Sequence, residues 1–171
     1  MNNQEKHKYA YRLTSVASTG LSFIEDSLSR IMNDATDMAY LRSFYILLSY
    51  NFELILKSRV VMLKNFSDKK AINDELRKLG HDITKIKKTL GINLEELGIK
   101  EITENDNQYK VTTTDGKEVY IENFTKIRYD FLDDVMRTVD NQEHIRIKEY
   151  AESIVSILRK AKAKNEEMRA K

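Results

Sequence analysis

Between Tyr40 and Lys64 the chain runs through a helix-length stretch that is apolar on nearly every side. It carries a polar pair out of character with the rest, Glu53 and Lys57, in Asn51-Phe52-Glu53-Leu54-Ile55-Leu56-Lys57. A helix greasy all round has to be wrapped by other elements, so it belongs at the centre of a bundle. Ionic groups placed there need partners, because an unpaired charge away from water costs several kcal/mol. This stretch therefore fixes both an architecture and an expectation that distant polar residues converge on its middle.

Composition agrees with that architecture. No proline, five glycines and 33% charged residues in 171 positions favour long, uninterrupted helices, and the length suits one domain with a sizeable core. The formal net charge of +2 balances 29 bases against 27 acids, so bulk electrostatics does not announce a nucleic-acid binder, although a local basic face is compatible with it. Without cysteine there is no disulfide, thiol nucleophile or thiolate metal site. The start, Met1-Asn2-Asn3-Gln4-Glu5-Lys6, lacks the apolar core of a signal peptide. No run approaches the roughly 20 apolar residues needed to cross a bilayer. A cytoplasmic protein that does not engage membranes is expected.

Periodicity lays out the elements. Leu21, Ile24, Leu28 and Ile31 predict a first helix from about Glu5 into Asp34, with Gly20 as a weak spot or a break. Thr36 or Asp37 offers a cap for the central helix, whose seam runs through Met38, Leu41, Tyr45, Leu48, Phe52, Ile55, Arg59 and Met62. Ser67 or Asp68 caps a third helix that Gly80 ends. A short helix follows from His81 to Leu90, then one more turn over Asn93 to Gly98. Tyr109-Lys110-Val111-Thr112-Thr113-Thr114, Asp115-Gly116, Lys117-Glu118-Val119-Tyr120-Ile121 reads as strand, tight turn, strand. Helical spacing returns from Phe124 to Val139, pauses at Asp140-Asn141, and resumes from Gln142 through Leu158, with a fraying tail from Lys160. The expected fold is all-α: one helical domain over 1–171, an up-and-down bundle carrying a β-hairpin insertion at 107–122.

Several residues carry candidate chemistry, each with a plainer alternative. Glu53 and Lys57 share one helix stripe in the favourable order, either as part of a polar pocket with His81 or Arg128 or as a structural ion pair. His81 and Asp82 follow Gly80. The imidazole there suits general acid–base work near neutrality, or equally the capping of carbonyls at a helix end. Arg128 and Tyr129 lie between Ile127 and Phe131, so one of them faces the apolar stripe or its border. Arg128 could grip a phosphate through two hydrogen bonds or pair with Glu53, Asp130 or Asp133. The histidines at 7, 81 and 144 are scattered and show no metal-ligand spacing, and no glycine-rich phosphate loop exists. Lys69, Lys70, Arg77, Lys78, Lys85, Lys87 and Lys88 form the densest basic region, either an RNA-phosphate contact or a solvated helix face.

Taken in order, Phe52-Glu53-Leu54-Ile55-Leu56-Lys57, Gly80-His81-Asp82-Ile83 and Ile127-Arg128-Tyr129 resemble the HEPN-like family of small helical prokaryotic proteins, over roughly Tyr40 to Phe131. That resemblance implies a helical bundle, frequently a homodimer. It also implies membership of a toxin–antitoxin, phage-defence or CRISPR-linked system, often beside a nucleotidyltransferase partner, and in many members metal-independent endoribonuclease activity without a cofactor. The family's signature sets four to six intervening residues between an arginine and the histidine that follows it. Arg77 and His81 have three residues between them, too few for it. Arg137 and His144 have the six residues Thr138 to Glu143 between them. The catalytic candidates are accordingly His81, Arg128, Arg137 and His144, with Glu53, Lys57, Asp82 and Tyr129 as a polar or binding network. The expected function is an RNA-cleaving or RNA-binding dimer. A non-catalytic helical interaction module, such as an antitoxin or accessory subunit, stands beside it. Nucleotide binding in a bundle-core pocket is a third reading.

Overall fold

The computed structural model describes residues 1–31, 38–105, 108–123 and 141–171, and only the backbone of 27–31, 38–42 and 141–144. Its centre is the helix that the sequence singled out. Helix α2 (Met38–Leu63) has every residue from Asn51 to Met62 buried. Helix α1 (Asn3–Ile31) packs along it in the opposite direction. Lys6, near the start of α1, donates to the carbonyls of Met62 (3.5 Å) and Lys64 (3.3 Å), while Ala17, Leu21 and Ile24 are buried further along.

Gly20 does not break α1. An added Cβ there would lie 2.8 Å from Cγ of Asn51 and closer still to its amide atoms. Asn51 is itself buried, so the missing side chain is what lets the two helices approach.

Two short helices follow. Helix α3 (Lys69–Leu79) is capped by Asp68, one of the two residues proposed, whose carboxylate accepts from the amide of Ala71 at 2.9 Å. Gly80 ends it with φ of +58° and sends its N–H to the carbonyls of Arg77 (3.0 Å) and Leu76 (3.2 Å). Helix α4 (Ile83–Leu90) starts two residues later than the sequence suggested, because Asp82 is its N-cap. His81 therefore sits in the turn between the helices. A 3₁₀ segment over Gly91–Leu97 corresponds to the extra helical turn expected there.

The described chain is mostly helical, with a small antiparallel sheet of order β1-β2-β3: β1 (Ile99–Asn105), β2 (Gln108–Thr113) and β3 (Glu118–Glu122). The β2–β3 hairpin falls where Asp115-Gly116 placed it. Tyr109, Val111, Val119 and Ile121 point into the core, and the Thr113 amide donates to the carbonyl of Lys117 at 2.9 Å. The mostly helical character agrees with the expected fold class, while the expected hairpin is extended to three strands by β1. Its register shifts between Ile99 and Glu101, so the buried residues Ile99 and Ile102 are three apart instead of two. A bulge thus imitates helical spacing. The third strand also supplies the support that an isolated hairpin lacks in water. The sheet leans on the helices: Ser49 of α2 donates to the carbonyl of Glu122 at 2.6 Å, and Lys87 of α4 donates to that of Ile102.

Helix α5 (Asn141–Ala170) closes the core with Ile147, Ala151, Ile154, Ile157, Leu158 and Ala161. It runs parallel to α2 and antiparallel to α1, bringing Lys162 within 3.3 Å of the Ser18 hydroxyl and Met168 within 3.1 Å of the Arg59 guanidinium. The tail expected to fray from Lys160 stays helical because Ala161 and Asn165 are buried and Met168 meets Arg59. Arg59, also buried, pairs with Glu96 of the 3₁₀ segment. None of the described helices is long and apolar enough to cross a membrane. The expected helix from Phe124 to Val139 and the caps Thr36 and Asp37 lie outside the described residues.

Two predictions follow from this packing. Gly20→Ala should lower stability by about 1–2 kcal/mol in urea unfolding, overpacking at Asn51 outweighing the roughly 1 kcal/mol of helix propensity that alanine adds. An unchanged or raised midpoint would contradict the close approach of α1 and α2. The second concerns pH. The backbone hydrogen bond from Ala71 holds the Asp68 carboxyl below its usual range, so the unfolded chain binds that proton more readily. The cap's contribution is complete above the ordinary carboxylate range, about pH 4, and fades as pH falls through the lowered folded value. Asp68→Asn should accordingly flatten the acid limb of the stability–pH curve.

Candidate functional site

Helical geometry places Glu53 and Lys57 one turn apart on the buried stripe of α2, and the turn ended by Gly80 brings His81 against them. Oε1 of Glu53 lies 2.7 Å from Nζ of Lys57, and Oε2 lies 2.9 Å from Nδ1 of His81. The carboxylate has only 2% of its surface exposed and the lysine side chain 11%, whereas the imidazole keeps 39%. One buried carboxylate therefore holds two nitrogen donors from different parts of the chain. The chemistry is that of a carboxylate–histidine pair: a proton on Nδ1 would be donated to Glu53, and the contact orients the ring.

Beside this pair lies an open groove of about 530 Å³, lined by Lys57, Asn73, Leu76, Arg77, Gly80 and His81. Asn73 and Arg77 are one turn apart on α3, so they reach the groove from the same face. Arg77 has no ion pair among the described residues, and neither it nor Asn73 has a side-chain hydrogen bond there. The groove thus offers an exposed guanidinium, a carboxamide, a lysine tied to a carboxylate, and an oriented histidine. Such a set has the chemistry to bind an oxyanion and to move a proton next to it. The sequence spacing had set Arg77 aside. The available signal was its position one turn before a helix-ending glycine, which delivers it to the same place as His81.

The other named residues divide. Asp82 is not in the Glu53 network: its carboxylate caps α4 by accepting from the amide of Lys85 at 3.1 Å, and pairs with the Lys85 ammonium at 3.5 Å. Its charge, behind burial and Glu104, helps push the Tyr109 phenol up from its ordinary range. Arg128, Tyr129 and Arg137 lie outside the described residues, as does the side chain of His144, whose backbone belongs to the first turn of α5. Within the basic region, Lys87 is committed to the Ile102 carbonyl and Lys85 to Asp82. Lys69, Lys70, Lys78 and Lys88 are exposed without an ion pair among the described residues. No grouping of three or more metal-ligating side chains occurs among the described residues.

No family model matches the chain, and no curated protein or solved structure matches it.

The burial of Glu53 sets a clear energetic expectation. Glu53→Ala strands Lys57 in a dry environment and should cost about 3 kcal/mol in denaturant unfolding. The double substitution Glu53→Leu with Lys57→Met should recover most of that loss, because removing both charges also removes their desolvation. Additive losses in the double variant would mean the two groups do not depend on one another.

Proposed function

We propose that this chain is a HEPN-like protein acting on RNA, with the groove at His81 as its working site and metal-independent cleavage of the RNA backbone as its reaction. The observation that carries the reading is the Glu53 carboxylate joining Lys57 and His81 at the edge of a groove that also presents Arg77. The fold class adds support: a mostly helical chain built round an apolar helix with the Glu53–Lys57 step in its middle.

In this reading Arg77, helped by the ammonium of Lys57, binds the non-bridging oxygens of a phosphodiester. Nε2 of His81 takes the proton of the ribose 2′-hydroxyl, whose oxygen attacks the adjacent phosphorus. The bond from phosphorus to the 5′-oxygen breaks, that oxygen takes a proton from water, the His81 imidazolium returns its proton to solvent, and the products are a 2′,3′-cyclic phosphate and a 5′-hydroxyl. Glu53 keeps the imidazole aligned as it becomes imidazolium, so the charge gained at His81 is met by one already in place. Arg137 and His144 are the second candidate pair for the same chemistry. A homodimer and a partner protein from a defence or toxin–antitoxin pair belong to the same proposal.

A second reading is favoured by one feature: Glu53 is fully paired inside the fold, with each oxygen already holding a donor. An ion pair complete without a ligand also suits a helical interaction module that catalyses nothing, such as an antitoxin or accessory subunit.

Incubation of the purified protein with total RNA in the presence of chelator separates the two. The first reading predicts cleavage leaving cyclic-phosphate ends, reduced about 10²-fold or more by His81→Ala and by Arg77→Ala. Cleavage untouched by both His81→Ala and His144→Ala would remove the mechanism. Absence of cleavage together with stoichiometric co-purification of another protein would establish the interaction module.

A further inference from the structure

A second groove of about 530 Å³ lies away from His81, between the first turns of α1 and the last turns of α5. Its distinguishing feature is an aromatic floor. His7 and Tyr11 are one helical turn apart, with ring centroids 6.4 Å apart and planes inclined by 31°. Tyr11 is 61% exposed although it is a large aromatic residue. Nδ1 of His7 is shut off from solvent and finds no hydrogen-bond partner among the described residues. No internal hydrogen bond through that nitrogen accounts for the imidazole's place beside Tyr11.

The walls of the groove are charged in both senses. Lys8 and Arg169 line it with Glu5 and Glu166, and none of the four forms a side-chain ion pair among the described residues. That pattern selects the occupant. A purely apolar peptide face laid over these rings would cover four charges without answering them. A simple anion would use the cations and ignore the rings. A unit of single-stranded nucleic acid meets every feature: a planar face to stack on the rings, a donor-bearing edge for the carboxylates, and a phosphate for Lys8 and Arg169.

We infer that this groove is a stacking site for one unpaired base of single-stranded RNA, held by Tyr11 and His7 with its phosphate on Arg169 and Lys8. The inference rests on the RNA-acting reading above and adds a second point of contact to it. Substrate would be gripped at the α1–α5 end while the groove at His81 engages the backbone.

The test is fluorescence anisotropy at fixed salt with the full chain. It uses a short oligoadenylate and an abasic phosphodiester of equal length, with wild type, Tyr11→Ala, Arg169→Ala and Arg77→Ala. Tyr11 is exposed, so its replacement leaves the core intact. The expected result is that Tyr11→Ala weakens oligoadenylate binding about tenfold and leaves abasic binding unchanged. Arg169→Ala and Arg77→Ala should weaken both ligands. Unchanged oligoadenylate affinity in Tyr11→Ala, with Arg77→Ala still impaired, would overturn the stacking site and leave the proposed function standing. Failure of the wild-type protein to bind either oligomer would overturn both. Loss of self-association in Tyr11→Ala with RNA affinity intact, read by sedimentation, would assign the groove to a protein contact and overturn the inference.

Discussion

A single carboxylate, that of Glu53, conditions everything else about this molecule. It sits on a helix buried on all sides, and a charge there is tolerable only because Lys57 and His81 meet its two oxygens. The requirement acts on distant parts of the chain. Helix α3 must end where it does, Gly80 must adopt its left-handed turn, and Asp82 must start α4 afresh. Only then does the imidazole arrive from the correct side. The same turn leaves Arg77 and Asn73 facing the groove, so the solution to a burial problem also assembles the surface on which chemistry is proposed.

The rest of the architecture serves the burial of α2. Helices α1 and α5 cover one part of it, α4 and the sheet another. The close seam at Gly20 and Asn51 ties α2 to α1, and the pairing of buried Arg59 with Glu96 ties it to the 3₁₀ segment. Core side chains such as Phe52, Ile55 and Leu56 each contribute about 1.5–3 kcal/mol by leaving water. That apolar surround is what makes the electrostatics at Glu53 strong. A site mounted on a rigid central helix, with its exposed partners on a short flanking helix, is held in a fixed geometry, as the proposed proton transfer would need.

Much of this was legible in the sequence, and what was not has identifiable causes. The burial of α2, the pairing of Glu53 with Lys57 and the Asp115-Gly116 hairpin follow from periodicity and local chemistry, whereas Asp68 was one of two caps offered and His81 one of two partners weighed for Glu53. Strand β1 was hidden because its bulge spaces Ile99 and Ile102 like a helix. Gly20 looked like a weakness because sequence shows what glycine lacks, not the Asn51 side chain filling the space. The last turns of α5 looked loose because alanine and charge are as compatible with packing against Arg59 as with solvent. Asp82, adjacent to His81 in sequence, went to a helix cap, since a carboxylate one residue along a turn faces another direction. Arg77 was discounted by counting residues, whereas a helix ending in glycine brings it to the groove regardless of that count.

The central claim is that Glu53 holds His81 through Nδ1–H, and the tautomer of that one ring tests it most directly. Long-range ¹H–¹⁵N correlation spectra of the imidazoles, recorded above the titration range of histidine, distinguish the two neutral forms. The account predicts that His81 carries its proton on Nδ1 in the wild-type protein and loses that preference in Glu53→Gln. A wild-type His81 protonated at Nε2, unchanged by the substitution, would show that the carboxylate does not orient the ring, and the proposed site would lose its foundation.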